Sequence, residues 1–279
     1  QDAPGTYHLF YADADGHPGS DITFFPWPEM GPLQKGSGLG AEIGLAVPAG
    51  TLGWWSERLT DAGAVLSSIE TRRDGRVLPF TDPHGLELAL VETSDPREFT
   101  GWERSPVPTD HQIIGLNHVR LAERELAPTT AFLVDVLGFK AMGEEGGWHR
   151  FGLGAGTSGR YLEVREMPNA RRGQWGVGAM HHVAWRVPDD EAEVAAQETI
   201  LAAHGRPTEV IDRFWFKSVY FKEPGGVLFE IATDGPGFAV DEYPGTLGEQ
   251  LVLPPWLEPQ RASIRAQLPP LRMPALRGA

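Results

Sequence analysis

The chain has 279 residues, a formal net charge of −14 and no cysteine. An acidic surface repels nucleic acid and anionic membranes, so neither is expected as a partner, and the lack of cysteine excludes disulfides and thiolate metal sites. No apolar run reaches the roughly 18 residues of a membrane span, and no signal-peptide pattern opens the chain. We therefore expect a folded cytoplasmic protein.

The first 30 residues predict a β-hairpin, with strands at 6–11 and 21–25 around a polar, glycine-rich turn. A lone hairpin is marginally stable in water and needs other strands or a helix to pack on. We expect residues 1–30 to be the C-terminal hairpin of a truncated first unit, and the natural protein to extend upstream.

A repeated order of elements follows the hairpin. Two turns of the form acid-Pro-x-Gly, DPHG at 82–85 and EPGG at 223–226, each lead into a final strand and follow a strand, a helix and further strands. This order predicts βαβββ units at 38–93, 113–168 and 176–234, with a linker at 94–112. The alternative is a set of unrelated α+β segments.

Two helices can be placed from their ends. In the last unit, Asp189 or Asp190 is the predicted N-cap of a helix that stops before Gly205. In the third unit a helix is predicted at 128–138. The proline-rich segment 235–279 reads as a surface tail with a short helix near 258–268.

The segment HHVAWRV, residues 181–187, places two histidines at the start of a predicted strand. Side chains alternate along a strand, so His182 lies opposite the apolar face of its strand, and Glu230 lies opposite the apolar face of the last strand. A buried carboxylate is costly unless its charge is compensated. A divalent metal ion would compensate it, and two histidines with one carboxylate typically bind Fe(II). A His182–Glu230 hydrogen bond, or a salt bridge from Arg186, stays open as the alternative.

The repeated βαβββ order, HHVAWRV and EPGGVLFEIATD resemble the vicinal oxygen chelate superfamily of glyoxalases, bleomycin-resistance proteins and extradiol dioxygenases. The longer runs DRFWFKSVYFKEPGGVLFEIATDGPGFAVDE and LGEQLVLPPWLEPQR are similar to ring-cleaving dioxygenases of the hydroquinone 1,2-dioxygenase type. The resemblance covers essentially the whole chain. It implies an α+β fold of tandem βαβββ modules that pair into cupped mixed β-sheets with helices outside, and it implies that the first and last modules come together.

The resemblance also implies a metal site. It places Fe(II), with Mn(II) as an option, on His182, on Glu230 and on a first-unit histidine that would lie upstream of Gln1. A natural protein longer by about 50 residues, roughly one strand-helix-strand segment, would supply that histidine. His118 is an alternative third ligand, because more distant extradiol enzymes draw a ligand from that unit.

The resemblance also implies catalytic roles for three residues near the expected metal: His181, Arg213 and Tyr220. His181 or Tyr220 would move a proton or donate a hydrogen bond to bound oxygen, and Arg213 would stabilise negative charge on the substrate. The alternatives are a salt bridge from Arg213 to Asp212, and a half-buried strand tyrosine with its hydroxyl at the rim.

No second metal site is expected. The second unit has Ala89 where the last unit has Glu230, and its first strand has no histidine. The remaining histidines are read as surface residues: His8, His17, His84, His111, His149 and His204.

Together these residues predict an oxidoreductase that cleaves the ring of a substituted hydroquinone or related aromatic diol, incorporates both atoms of O₂ and serves the degradation of aromatic compounds. Two alternatives keep the fold: a glyoxalase-like divalent-metal isomerase or lyase, and a metal-free protein that sequesters a ligand as bleomycin-resistance proteins do. The ring substituents, the native metal and homo-oligomerisation are left open.

Overall fold

Strands dominate the computed structural model, which describes residues 4–73, 75–94 and 96–271. The strands are β1 (Leu9–Tyr11), β2 (Ile22–Phe24), β3 (Leu39–Pro48), β4 (Val65–Leu66), β5 (Glu70–Arg72), β6 (Gly75–Thr81), β7 (Glu87–Thr93), β8 (Gly115–Glu123), β9 (Lys140–Glu145), β10 (Trp148–Gly152), β11 (Tyr161–Glu166), β12 (Val183–Val187), β13 (Ile211–Asp212), β14 (Lys217–Lys222) and β15 (Leu228–Thr233). The α-helices are α1 (Leu52–Asp61), α2 (Leu126–Ala131), α3 (Asp190–Ala202) and α4 (Arg261–Gln267).

The strands form a hairpin and two mixed sheets. Strands β1 and β2 pair as the hairpin, a nine-stranded sheet runs β4-β6-β7-β3-β8-β11-β10-β9 with β5 on β6, and a four-stranded sheet runs β12-β15-β14-β13. The antiparallel pair β3–β8 joins the second and third predicted units into one sheet. This confirms the predicted α+β class with mixed sheets.

The predicted order of strand, helix and strands occurs three times, in residues 39–93, 115–166 and 183–233. Each time the first and last strands pair in parallel, as β3–β7, β8–β11 and β12–β15. The assignment of exact domain boundaries, including a truncated first unit, stays a prediction.

The main hydrophobic core joins the two sheets. It contains Leu121 of β8, Leu162 of β11, Val183 of β12 and Phe229 of β15. Because side chains alternate along these strands, the residues between them face away from this core. In each sheet, the polar residues of these strands therefore lie on the face that points away from this core. The candidate site lies on that face of the four-stranded sheet.

Element ends differ from the predictions in three places. The hairpin strands are shorter, the strand predicted at 181–187 begins at Val183, and the helix predicted at 128–138 begins at Leu126 and continues as a π-helix at Phe132–Val136. Pro128 is tolerated in the first turn of α2, where backbone N–H groups have no partner within the helix.

The helix ends of the last unit and of the tail are as predicted. The Asp189 carboxylate caps α3 by accepting from the Ala192 N–H at 2.9 Å, and the Gly205 N–H closes the helix on the Ile200 carbonyl at 2.8 Å. Helix α4 follows a 3₁₀ turn at Glu258–Gln260. Residues 1–3 of the predicted hairpin and 272–279 of the predicted tail lie outside the described residues.

None of the helices in residues 4–73, 75–94 and 96–271 combines the length and the hydrophobicity that a membrane span requires.

A buried pair of carboxyl groups connects β8 with the turn before β15. Glu223 accepts from the Thr129 hydroxyl at 2.7 Å and from the Val227 N–H at 2.9 Å. Glu123 is fully buried, and within the described part of the chain no group donates a hydrogen bond to either of its oxygens. Burial and the charge of Glu223 raise the pKa of Glu123 to about 8, against an opposing effect of Arg172. Glu123 therefore holds a proton at neutral pH.

This proton predicts a pH dependence of stability. Between the usual glutamate pKa of 4.5 and the folded value of about 8, the unfolded chain has lost a proton that the folded protein keeps. The free energy of unfolding therefore falls as pH rises through this range. Replacing Glu123 by Gln should reduce that slope by up to about 1.4 kcal/mol per pH unit, measured by denaturant unfolding from pH 5 to pH 8.

The slope should shrink rather than vanish, because burial also raises the pKa values of Asp21 and Glu193 to about 7. The matched control is Glu57→Gln, an exposed glutamate of α1, which should keep the parent slope. An unchanged slope in Glu123→Gln would show that Glu123 is ionised in the folded protein.

Candidate functional site

His182 and Glu230 contact each other on one face of the four-stranded sheet. The imidazole Nε2 lies 2.8 Å from the carboxylate Oε2, and the two side chains are 15% and 4% exposed. Parallel pairing places Ala184 of β12 beside Glu230 of β15, and His182 precedes Ala184 by two residues. The alternation of side chains therefore brings both groups to the same face, as the sequence pattern predicts.

The atoms of His182 and Glu230 that do not face each other also have partners. His182 Nδ1 lies 2.9 Å from Nδ1 of His181, and the Tyr220 hydroxyl donates to Glu230 Oε1 at 2.7 Å. Tyr220 stands directly opposite Glu230 in the antiparallel pair of β14 and β15. Both facing groups are thus oriented by a second partner, which is the arrangement that positions metal-binding histidines and carboxylates in proteins.

The surroundings keep His181 and Tyr220 neutral. Burial, followed by the charge of His182, lowers the pKa of His181 to about 4, although Glu230 opposes the shift. Burial and the charge of Glu230 raise the pKa of Tyr220 well above its usual value. At neutral pH the site thus contains an uncharged imidazole, that of His181, and a phenol that retains its proton.

Of the two arginines considered from the sequence, Arg213 lies next to Tyr220 in the site, whereas Arg186 forms an ion pair with Asp234. Arg213 follows β13, and its guanidinium lies 5.4 Å from the centre of the Tyr220 ring, with Nε 3.4 Å from the Ser218 hydroxyl. Arg186 pairs with Asp234, with both guanidinium-to-carboxylate distances 2.7 Å. The alternative in which Arg186 compensates Glu230 is therefore wrong, and His182 takes that place.

Aromatic rings from distant segments surround His181. Trp175, which lies between the third and last units, stacks on it at 4.8 Å between ring centres, and Phe25 and Trp27 after the first hairpin lie at 5.3 and 5.6 Å. These contacts place the segment after the first hairpin against the last βαβββ segment; that this hairpin belongs to a first unit stays a prediction.

His8, read from the sequence as a surface residue, lies beside this site. It retains exposed surface, but its ring lies 4.2 Å from that of Phe25. Burial, followed by the charges of neighbours that include His182, Arg213 and His181, lowers its pKa to about 3. The sequence around His8 shows only that His8 and Phe10 lie on the same face of the hairpin strand. It does not show which face of the hairpin packs against the rest of the protein.

His118 is not brought to this cluster. Its Nδ1 lies 2.8 Å from Asn117 Oδ1 and its Nε2 lies 3.3 Å from Glu42 Oε1, in the nine-stranded sheet. Within residues 4–73, 75–94 and 96–271 there is no group of three or more histidine, aspartate or glutamate side chains that could hold a metal ion. His182 and Glu230 supply two donors, an imidazole and a carboxylate, and this donor chemistry fits a divalent transition metal.

Comparison with known proteins gives consistent similarities. A family model described as the Glyoxalase/Bleomycin resistance protein/Dioxygenase superfamily matches residues 115–231. MhqO of Bacillus subtilis, named as a candidate ring-cleaving dioxygenase, is 39% identical over 273 residues, which cover 98% of this chain and 86% of MhqO. The chlorohydroquinone/hydroquinone 1,2-dioxygenase of Sphingobium indicum is 29% identical over 257 residues, 90% of this chain and 80% of that protein. A crystal structure of a candidate dioxygenase from Bacillus subtilis superposes with a TM-score of 0.89 at 38% identity, covering 97% and 86% of the two chains.

The hydrogen bond from Tyr220 to Glu230 predicts a cost for its removal. Tyr220→Phe leaves a buried carboxylate oxygen without its donor, so the free energy of unfolding of the metal-free protein should fall by about 1–3 kcal/mol. Urea denaturation in the presence of a chelator measures this change. Tyr243→Phe is the matched control, because Tyr243 is 84% exposed. Equal stability of Tyr220→Phe and the parent protein would contradict the proposed orientation of Glu230.

Proposed function

The chain belongs to the glyoxalase/bleomycin resistance protein/dioxygenase superfamily, and we propose that it is a divalent-metal-dependent dioxygenase that cleaves the ring of a hydroquinone-type diol. The contact between His182 and Glu230 carries the proposal, because each group has its outer atom held by a further side chain. The names of the relatives support ring cleavage as the reaction class.

His182 Nε2 and Glu230 Oε2 are the atoms that would hold the metal ion, Fe(II) in our proposal and Mn(II) as the option. When bound, such an ion supplies the Lewis-acid and one-electron chemistry through which an aromatic diol and O₂ can react. Both atoms of O₂ would enter the product. The mostly buried setting of the two side chains limits the access of water to them.

His181 is placed to hold a proton for the reaction. When His182 Nε2 acts as a ligand, the ring proton of His182 is on Nδ1 and is donated to Nδ1 of His181. Because its pKa is lowered to about 4, His181 is neutral and carries its own proton on Nε2. From there it can donate a hydrogen bond to an oxygen atom of the substrate.

Tyr220 and Arg213 have separate tasks in this proposal. The Tyr220 proton is used to orient Glu230, so Tyr220 acts as a positioning residue and not as the proton shuttle. The Arg213 guanidinium, next to the Tyr220 ring, brings positive charge to the side of the site where an anionic diol oxygen would be stabilised.

The aromatic side chains around His181 fit a flat, aromatic substrate. Phe25 stacks on Trp27 at 4.9 Å and Trp175 stacks on His181 at 4.8 Å. Exposed faces of such aromatic side chains favour stacking with another ring. Similarity to a chlorohydroquinone/hydroquinone 1,2-dioxygenase supports a diol with hydroxyl groups in para positions.

The proposal predicts O₂ uptake by protein loaded anaerobically with Fe(II), faster with methylhydroquinone than with catechol. His182→Ala and Glu230→Ala should each reduce the uptake rate by at least about 100-fold, because each removes a metal donor. An oxygen electrode measures the rate, and mass spectrometry with ¹⁸O₂ counts the oxygen atoms in the product.

The matched controls are His84→Ala and Glu98→Ala, whose side chains are 74% and 82% exposed and which should retain the parent rate. Metal-dependent turnover that continues without O₂ would contradict the proposal in favour of an isomerase or lyase. Tight binding of a diol without metal and without turnover would contradict it in favour of ligand sequestration.

A further inference from the structure

His8 is a histidine beside the candidate site that none of the proposed roles uses. The pairing of β1 with β2 places Leu9 opposite Phe24, so His8, which precedes Leu9, stands across from Phe25, which follows Phe24. The rings of His8 and Phe25 lie 4.2 Å apart at an interplanar angle of 27°. The Phe25 ring lies 5.3 Å from that of His181, so Phe25 contacts both histidines.

The hairpin that carries His8 is fixed to the last unit at two further points. Phe10, which shares a strand face with His8, has its ring 5.2 Å from that of Phe238, in the 3₁₀ turn after β15. Arg186 of β12 donates to the Pro18 carbonyl at 3.3 Å. These contacts hold the His8 ring in a defined place against the four-stranded sheet.

The ring nitrogens of His8 have no hydrogen-bond partner in the part of the chain that the structure describes. By contrast, His17 in the loop of the same hairpin has its Nδ1 2.6 Å from Asp13 Oδ2. Stacking on Phe25 covers a face of the His8 ring, whereas the nitrogens lie on the ring edge. The side chain retains exposed surface, and neither nitrogen is among the buried side-chain atoms that lack a partner. A small molecule can therefore reach them.

The surroundings of His8 keep its ring neutral. Burial is the largest cause of its low pKa, about 3, and the charges of His182, Arg213 and His181 act in the same direction. A neutral imidazole has one N–H donor and one acceptor nitrogen. A hydroxyl group both donates and accepts, so His8 can form a hydrogen bond with a hydroxyl group in either tautomer.

A diol bound at the candidate site has a second hydroxyl group that needs a partner. In the proposed function, one oxygen atom of the diol lies near His182 and Glu230, where His181 and Arg213 also act. The other hydroxyl group, enclosed by aromatic side chains without a hydrogen bond, would weaken binding. His8 offers a neutral imidazole with free nitrogens on the aromatic side of the site.

We propose that His8 binds the second hydroxyl group of the substrate, the one remote from His182 and Glu230, and thereby selects aromatic diols over monophenols. The inference rests on the proposed function, since it takes a diol as the substrate. A site with a polar group for a hydroxyl rejects an analogue that lacks this hydroxyl, because the polar group then stays unpaired. In this role His8 touches the substrate and is not a metal ligand.

Binding of hydroquinone and of phenol, which differ by one hydroxyl group, tests the proposal. Isothermal titration calorimetry on anaerobic, Fe(II)-loaded protein gives both Kd values without turnover, because O₂ is absent. The parent protein should bind hydroquinone at least about tenfold more tightly than phenol. His8→Phe keeps a ring beside Phe25 but has no nitrogen atoms. It should bring the ratio of the two Kd values to about one and leave the affinity for phenol within about twofold of the parent value.

Three further variants complete the experiment. His8→Gln retains a donor and an acceptor and should keep part of the preference for hydroquinone. The matched control is His84→Phe, which should leave the ratio unchanged because the His84 side chain is 74% exposed. Should His8→Phe fail to fold by circular dichroism, His8→Ala takes its place and is judged by the same ratio.

An unchanged ratio in folded His8→Phe would overturn the proposal, and so would a parent protein that binds both compounds equally. Equal losses of affinity for hydroquinone and phenol would give His8 a packing role only, which also overturns it. The dioxygenase is judged separately by O₂ uptake. A preference that depends on His8 without O₂ uptake would contradict the dioxygenase alone, whereas O₂ uptake with an unchanged ratio would contradict the role of His8 alone.

Discussion

A buried carboxylate that needs compensation is the constraint on which the candidate site depends. The Glu230 side chain is 4% exposed, and the residue lies between the core residues Phe229 and Ile231 of β15. An uncompensated charge at such a position is strongly destabilising. The parallel pairing with β12 brings His182 to it, and the antiparallel pairing with β14 brings Tyr220. The sheet topology itself therefore assembles the site, and the proposed chemistry uses groups that the fold needs for its own stability.

The protein compensates buried carboxylates in three different ways. Glu230 has an imidazole and a phenol as partners. Glu163 has the guanidinium groups of Arg120 and Arg150. Glu123 keeps a proton, because burial and a second carboxylate raise its pKa to about 8. Among these three, the first arrangement leaves a carboxylate facing an imidazole, which is a donor that a metal ion can share, and this distinguishes the candidate site from the other two positions.

Local patterns predicted the pairing of His182 with Glu230, because alternation along a strand is a short-range property. They also predicted the order of the elements and the ends of α3. The contacts of His8 and Trp175 with the site depend on how distant segments pack, and alternation within one segment does not reveal that. The same holds for the β3–β8 pairing, which builds the nine-stranded sheet from two predicted units. Glu123 gave no usable signal, since a glutamate at a strand end is commonly exposed.

The location of bound iron tests the central claim most directly. Crystals loaded anaerobically with Fe(II) and measured at the iron absorption edge would give an anomalous difference peak at the metal. We predict that this peak lies within bonding distance of His182 Nε2 and Glu230 Oε2, which are 2.8 Å apart in the structure. A peak on other side chains, or an undisturbed His182–Glu230 contact in iron-loaded protein, would contradict it.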